Sequence, residues 1–217
     1  RFGILWHGEG DVTIGGRTKL RTRNAVFLDK GQRISVVVDG SKGASIKAED
    51  GVLVQVMDDD DPGPVMVDGK LTNGGVYTEP TGEVKKVTDF DVTTQQAADA
   101  VVKFSDIALA GNCWNGFRGG EVSGPFAVAA KNLVVTLNHA RLTGAVSATT
   151  ARHTKSTITA VDYRLLGVVT NTPSAAVNNG ALVSLVNGSV WRVKGTCHLT
   201  RLSIDASSKV KAAHGSL

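Results

Sequence analysis

The chain has 217 residues, 41% hydrophobic and 20% charged, a balance that allows a buried core and excludes a disordered chain. Its 25 glycines against 5 prolines exclude collagen and fit many tight turns, and an aromatic content of 5% leaves Val, Leu, Ile and Ala to fill the core. A net charge of +4 and a pI of about 9.1 make it mildly basic, and no apolar run approaches the ~18 residues of a membrane-spanning helix.

In chain order, Trp6-His7 leads into a turn at Gly8-Glu-Gly10. Short strands are then predicted at Val12–Ile14, Thr18–Arg21, Ala25–Leu28, Arg33–Val38, Ala44–Lys47 and Val52–Met57. The breaks between them, Gly15-Gly16, Asp29-Lys-Gly31, Asp39-Gly-Ser41 and Glu49-Asp-Gly51, carry turn chemistry that supplies positive φ cheaply. Asp39-Gly40 can also close an ordinary hairpin. Val12-Thr-Ile14 recurs as Ile34-Ser-Val36, 22 residues on (34 − 12), and Ala25-Val-Phe-Leu28 as Val52-Leu-Val-Gln55, 27 on (52 − 25). A period in the twenties suits a solenoid whose coils stack aliphatics inside and Thr, Ser, Lys and Asp outside.

Asp58-Asp-Asp-Asp61 with Pro62-Gly-Pro64 interrupts the pattern, because adjacent carboxylates repel and proline removes donors. Residues 65–93 read as irregular. Thr94–Val102 is the best helix candidate and can equally run into a strand ending at Phe104. Strands resume at Ile107–Leu109, Leu133–Leu137, Ala140–Leu142 and Ala145–Ser147. Gly111–Gly124 and Thr149–Asn178 read as protruding loops. Ala181–Val186 opens the closing stretch, where Asn187-Gly188 and Lys194-Gly195 bracket a strand at Val190-Trp191-Arg192 and a further strand runs from Leu199 to Ile204.

That closing stretch, Gly188-Ser-Val-Trp-Arg-Val-Lys-Gly195 followed by Thr196-Cys-His-Leu199 and Leu202, resembles the end of the passenger domain of bacterial autotransporters and related surface proteins. Cys197 departs from the pattern, where a small polar residue is usual. The likeness extends over roughly residues 130–217. It implies an all-β, right-handed parallel β-helix (solenoid) with protruding loops, displayed outside the cell. It also implies that Trp191 is a structural anchor in the last rungs. On this reading residues 1–217 form a single β-helix domain, a segment of a longer secreted chain.

The candidate chemistry is sparse. Asp58, Asp59, Asp60 and Asp61 offer clustered oxygens for Ca²⁺, though without EF-hand spacing; the alternative is a solvated turn. Arg17, Lys19, Arg21 and Arg23 alternate onto one strand face, either solvated or a patch for an anionic polymer. No aromatic residue is interleaved with them, which argues against nucleic acid. Trp114, Phe117 and Arg118 are the best contact surface, Trp and Arg being common interface anchors; Trp114 can instead fold back onto the protein. Cys113 and Cys197 read as free thiols, and the five histidines show no metal-ligand spacing.

The expected function is a non-catalytic extracellular or cell-surface scaffold, adhesin-like. Its partners are molecules of a host or neighbouring cell, other copies of itself, or a polysaccharide, with no cofactor unless Ca²⁺ binds. The alternative is a Ca²⁺-dependent polysaccharide lyase or glycoside hydrolase. It is similar to pectate lyases, in which Asp-held Ca²⁺ and a basic side chain act together. Arg17, Lys19 or Arg21 would then be the basic side chain facing the acidic loop. A β-sandwich binding module is a third reading, distinguished by antiparallel pairing.

Overall fold

The computed structural model describes residues 1–30, 33–58, 99–118, 130–158, 162 and 164–212, with the backbone of four short strands between 66 and 86. Among the described residues the regular structure is strand apart from a 3₁₀ turn at Asp162, and no helix is long and apolar enough to cross a membrane.

The chain visits three sheets in a fixed order. A first circuit runs through β1 (Ile4–Trp6), β2 (Gly10–Ile14) and β3 (Lys19–Thr22). A second runs through β4 (Phe27–Asp29), β5 (Ile34–Asp39) and β6 (Ser45–Ala48). β7 (Val52–Val56) begins a third circuit. Two small antiparallel pairs follow, β8 (Met66–Val67) with β9 (Lys70–Leu71) and β10 (Val76–Thr78) with β11 (Val84–Lys86). The third circuit resumes with β12 (Ala100–Ser105) and β13 (Ala108–Ala110). β14 (Asn112–Asn115), β15 (Lys131–Asn138) and β16 (Arg141–Gly144) make the fourth. β17 (Val146–His153), β18 (Val169–Pro173), β19 (Asn179–Val186) and β20 (Val190–Val193) follow, then β21 (Arg201–Ile204) and β22 (Lys209–Ala212).

The first sheet is ordered β1-β4-β7-β14-β17-β18 and the second β2-β5-β12-β15-β19-β21. The third face is made by the pair β3-β6 and by β13-β16-β20-β22, with β6 and β13 side by side. Every ladder in these sheets is parallel except the hairpin β17–β18. This pairing disposes of the antiparallel sandwich. It also removes the Asp39-Gly40 hairpin, since β5 and β6 lie in different sheets.

Alternation along the second-sheet strands builds much of the core. β5 and β15 alternate buried and half-buried residues along their length. In register, Ile34, Ala100, Leu133 and Ala181 share one inward column, and Val38, Phe104, Leu137 and Leu185 another. All eight belong to one hydrophobic cluster that also takes Val54 and Cys113 from the first sheet and Ile46, Leu142 and Trp191 from the third face. Large and small side chains alternate up the first column, which lets layers a strand spacing apart interlock.

The corners are equally regular. Asp106, His139 and Asn187 each follow the end of a second-sheet strand and hold positive φ of 53°, 49° and 57°, a conformation that Asn, Asp and His tolerate best among residues with a side chain. Asn187-Gly188 continues with φ 73° at the glycine. Neighbouring corners are tied together: Asn187 Nδ2 donates to Asn138 Oδ1 (2.6 Å), and the Asn187 N–H donates to Asp205 Oδ2 (2.7 Å). Hydrogen bonds from Ser208 and the Asn187 N–H hold the Asp205 carboxyl at about 2, well below the usual carboxylate range.

Several expectations are corrected. Val12 pairs with Val36, a step of 24 rather than 22, so parity and facing survive while the register moves. The 27-residue step holds, with Phe27 on Val54 and Leu28 on Gln55. Asn112–Asn115, expected in a loop, is a strand flanked by β7 and β17. Thr149–His153, also expected in a loop, pairs with β18. Of the helix candidate, residues 94–98 lie outside the described residues, and Ala100 onward is strand. The last second-sheet strand starts at Arg201, not Leu199.

A buried ion pair sits where the first sheet turns into the second. Lys131 Nζ lies 2.5 Å from Asp29 Oδ2, and both side chains are inaccessible to solvent. Burial pushes the Lys131 ammonium below the usual lysine range, with Asp29 pulling the other way. Asn115 Nδ2 completes the polar corner by donating to the carbonyls of Lys131 (3.0 Å) and Gly180 (2.8 Å). Lys131→Met alone is expected to cost about 3–5 kcal/mol, because it leaves a buried carboxylate without its cation. Adding Asp29→Leu is expected to recover most of that loss. Urea unfolding of the two variants checks this; a double variant as damaged as the single would contradict the pairing.

Candidate contact surface

The expected contact loop is interior. Trp114 and Phe117 are buried, 9% and 5% exposed. Alternation puts Cys113 inward, in the central cluster, and Trp114 on the outer side of the first sheet, in register with Gln55 and Ser147. That outer side is covered by the segment after β17. Lys30 Nζ donates to the Leu166 carbonyl (3.2 Å), and Asn171 Nδ2 donates to Gln55 Oε1 (2.8 Å). Gly167 lies so close to Leu28 that a β-carbon there would clash with its side chain. Asn and Gly had suggested a loop; here Asn115 is a buried strand residue whose amide satisfies backbone carbonyls.

Of that trio only Arg118 reaches solvent, and it meets the first residue of the acidic run. The Arg118 N–H donates to both Asp58 oxygens (3.1 and 3.0 Å), and its Nε lies 3.4 Å from Oδ2. The Asp58 side chain is 4% exposed. Its oxygens therefore already accept hydrogen bonds, which is not the open oxygen shell that Ca²⁺ takes. Asp59, Asp60 and Asp61 lie outside the described residues. Among the described residues no three His, Cys, Asp or Glu side chains gather as metal ligands. Asp58 and Arg118 line a groove of about 320 Å³ together with Arg152, His153 and Lys155. Lys155 there pairs with Asp162 (2.6 Å).

Trp191 is 1% exposed, and its Nε1–H donates to the Gly144 carbonyl (2.9 Å) one strand away. A β-carbon on Gly144 would run into the Gly111 carbonyl, so the strand spacing beneath Trp191 depends on that glycine. Cys113 and Cys197 are free thiols, and burial pushes the Cys113 thiol up to about 12.

The outer side of the third face is exposed. Each of its strands turns apolar residues inward (Leu20, Ile46, Leu142, Trp191, Val210) and charge outward. Lys19 and Arg21 project from β3 and Lys47 from β6; Arg141, Arg192, Lys209 and Lys211 project from β16, β20 and β22. Between the two groups β13 presents only Ala108 and Ala110. Beside the stripe, Glu49 lies 3.8 Å from Arg21 Nε and 3.9 Å from Arg23 Nε. Sequence reading found the Arg17–Arg23 portion; the rest comes from strands far apart in the chain, and only the register joins them.

A groove of about 490 Å³ opens at the corner beside Ala108, between Ser41, Asp106, His139, Arg141 and Gly188. His139 Nδ1 lies 2.7 Å from Asp106 Oδ1. A carboxylate there accepts, so the ring proton sits on Nδ1 and Nε2 is left for another partner. No protein-family model, no curated protein and no solved structure matches the chain.

Asp58→Ala leaves the half-buried Arg118 N–H without its Asp58 acceptor and is expected to cost about 1–3 kcal/mol. The loss should be equal in calcium and in chelator when followed by urea unfolding. A cost that grows with calcium would make Asp58 a ligand instead.

Proposed function

We propose that the stacked circuits form a right-handed parallel β-helix and that the chain is a non-catalytic scaffold, displayed outside the cell or on its surface, that works by contact. Three considerations support this reading. The circuits add strand on parallel strand in each sheet, and a parallel crossover is right-handed in nearly every known case. The closing stretch around Trp191 resembles surface proteins of this kind, and Trp191 is packed as an anchor there. Asp58, the described part of the acidic run, is engaged by Arg118.

The observation that carries the proposal is the cationic outer face of the third sheet. Its cations stand on five of the six strands of that face, and a long exposed run of stacked strands is a surface for contacts. Partners on this reading are molecules of another surface, or other copies of the chain.

The test is incubation with a uronate polymer in millimolar calcium and in chelator, followed by absorbance of unsaturated product and by thermal unfolding. The scaffold reading expects no product and the same melting temperature in both buffers. Calcium-dependent release of unsaturated product would replace it with a lyase.

A further inference from the structure

We propose that the cationic outer face of the third sheet, together with the groove beside Ala108, is a binding site for a linear acidic polysaccharide lying along the stacking direction. The inference rests on the scaffold reading and gives that scaffold a ligand class.

Charge comes first. Lys19, Lys47, Arg141, Arg192, Lys209 and Lys211 are all exposed, and none is engaged by an acidic side chain among the described residues. Neighbouring strands stand ~4.8 Å apart, and alternate residues along a strand ~6.6 Å. At those spacings like charges repel, and ordinary surfaces relieve the repulsion by interspersing acids. Here Arg192 stands directly beside Lys211, and Arg141 lies two strands from Lys209 in the same column. The face is therefore set up for an anionic partner whose charges repeat along a line.

The shape selects among anions. At β13 only the small side chains of Ala108 and Ala110 stand between the two groups of cations, and the groove opens beside Ala108. The walls of that groove mix acceptors and donors: the Asp106 carboxylate, His139, the Ser41 hydroxyl and Arg141. Sugar hydroxyls both donate and accept, so they can satisfy Asp106, whereas phosphate oxygens can only be repelled by it. The exposed side of these strands carries no aromatic side chain, since Trp191 points inward, so nucleic-acid bases have nothing to stack on. A lipid surface could meet the flat cations but could not enter the corner groove.

Binding is measured with polygalacturonate (carboxylate), heparin (sulfate), neutral dextran, duplex and single-stranded DNA, and phosphatidylcholine–phosphatidylserine vesicles. The expected result is salt-sensitive binding of one or both acidic polysaccharides, none of dextran, and weaker binding of DNA and vesicles. R192Q/K209Q/K211Q, all solvent-exposed changes, should lower polysaccharide affinity at least about tenfold, about 1.4 kcal/mol. K103Q/R201Q on the outer side of the second sheet should leave it unchanged. H139A in the groove should weaken the polysaccharide several-fold and leave residual DNA binding as it was. Unchanged melting temperatures show that the variants fold.

Binding of DNA or vesicles as tight as that of the polysaccharides would overturn the inference in favour of a nucleic-acid or membrane surface. Equal losses from the second-sheet variant, or no binding at low salt, would overturn it outright. Binding accompanied by cleavage of the polymer would keep this site and sink the scaffold reading.

Discussion

Everything in this protein depends on parallel strands stacking in register. Each circuit must return the chain so that an inward residue lands on an inward residue, because a slip of one position would turn an aliphatic column out to water. The columns Ile34–Ala100–Leu133–Ala181 and Val38–Phe104–Leu137–Leu185 are the product. The corners enforce it: the same left-handed backbone step at Asp106, His139 and Asn187 turns three successive circuits the same way. The Asp29–Lys131 pair and the Asn115 amide fix the opposite corner, where a misplaced strand would leave a charge or an amide buried without its partner.

The same register organises the outside. A residue type repeated at outward positions becomes a column on the surface, whatever its distance along the chain. On the first sheet the outward residues Leu28, Gln55 and Trp114 are covered by the segment after β17. On the third face they are lysines and arginines, open to solvent apart from loose contacts to Glu49. The stacked circuits thus yield one sheet whose middle strands are covered on both sides and another that presents charge.

Much of the second sheet was legible in the sequence. Ile34–Asp39 and Lys131–Asn138 alternate cleanly, and Asn187-Gly188 announced its turn. The 27-residue step from Phe27 to Val54 was legible because no insertion lies between them. Beyond β7 the period is lost: the partner of Val36 is Val102, 66 residues on (102 − 36), and no repeat search in the twenties finds it. Asn112–Asn115 was misread because Asn and Gly are turn formers on average, while here Asn115 is held by carbonyls that exist only after the circuits have stacked. The contact of Asp58 with Arg118 was not legible, because the two lie 60 residues apart. The basic face was visible only in its first strand for the same reason, since Arg141, Arg192 and Lys211 meet through pairing alone.

The most direct measurement is oxidative cross-linking of engineered cysteine pairs on the outer side of the second sheet, in a Cys197→Ser background, read by mass spectrometry. Thr136 and Ser184 are register partners, and Ser203 lies one strand further on. Parallel stacking puts the first pair ~4.8 Å apart at Cα, within the roughly 4.4–6.8 Å that a disulfide spans. The account predicts that Thr136→Cys/Ser184→Cys cross-links readily while Thr136→Cys/Ser203→Cys does not. Cross-linking of the second pair in preference to the first, or of neither, would contradict the stacked register on which the core and the cationic face both rest.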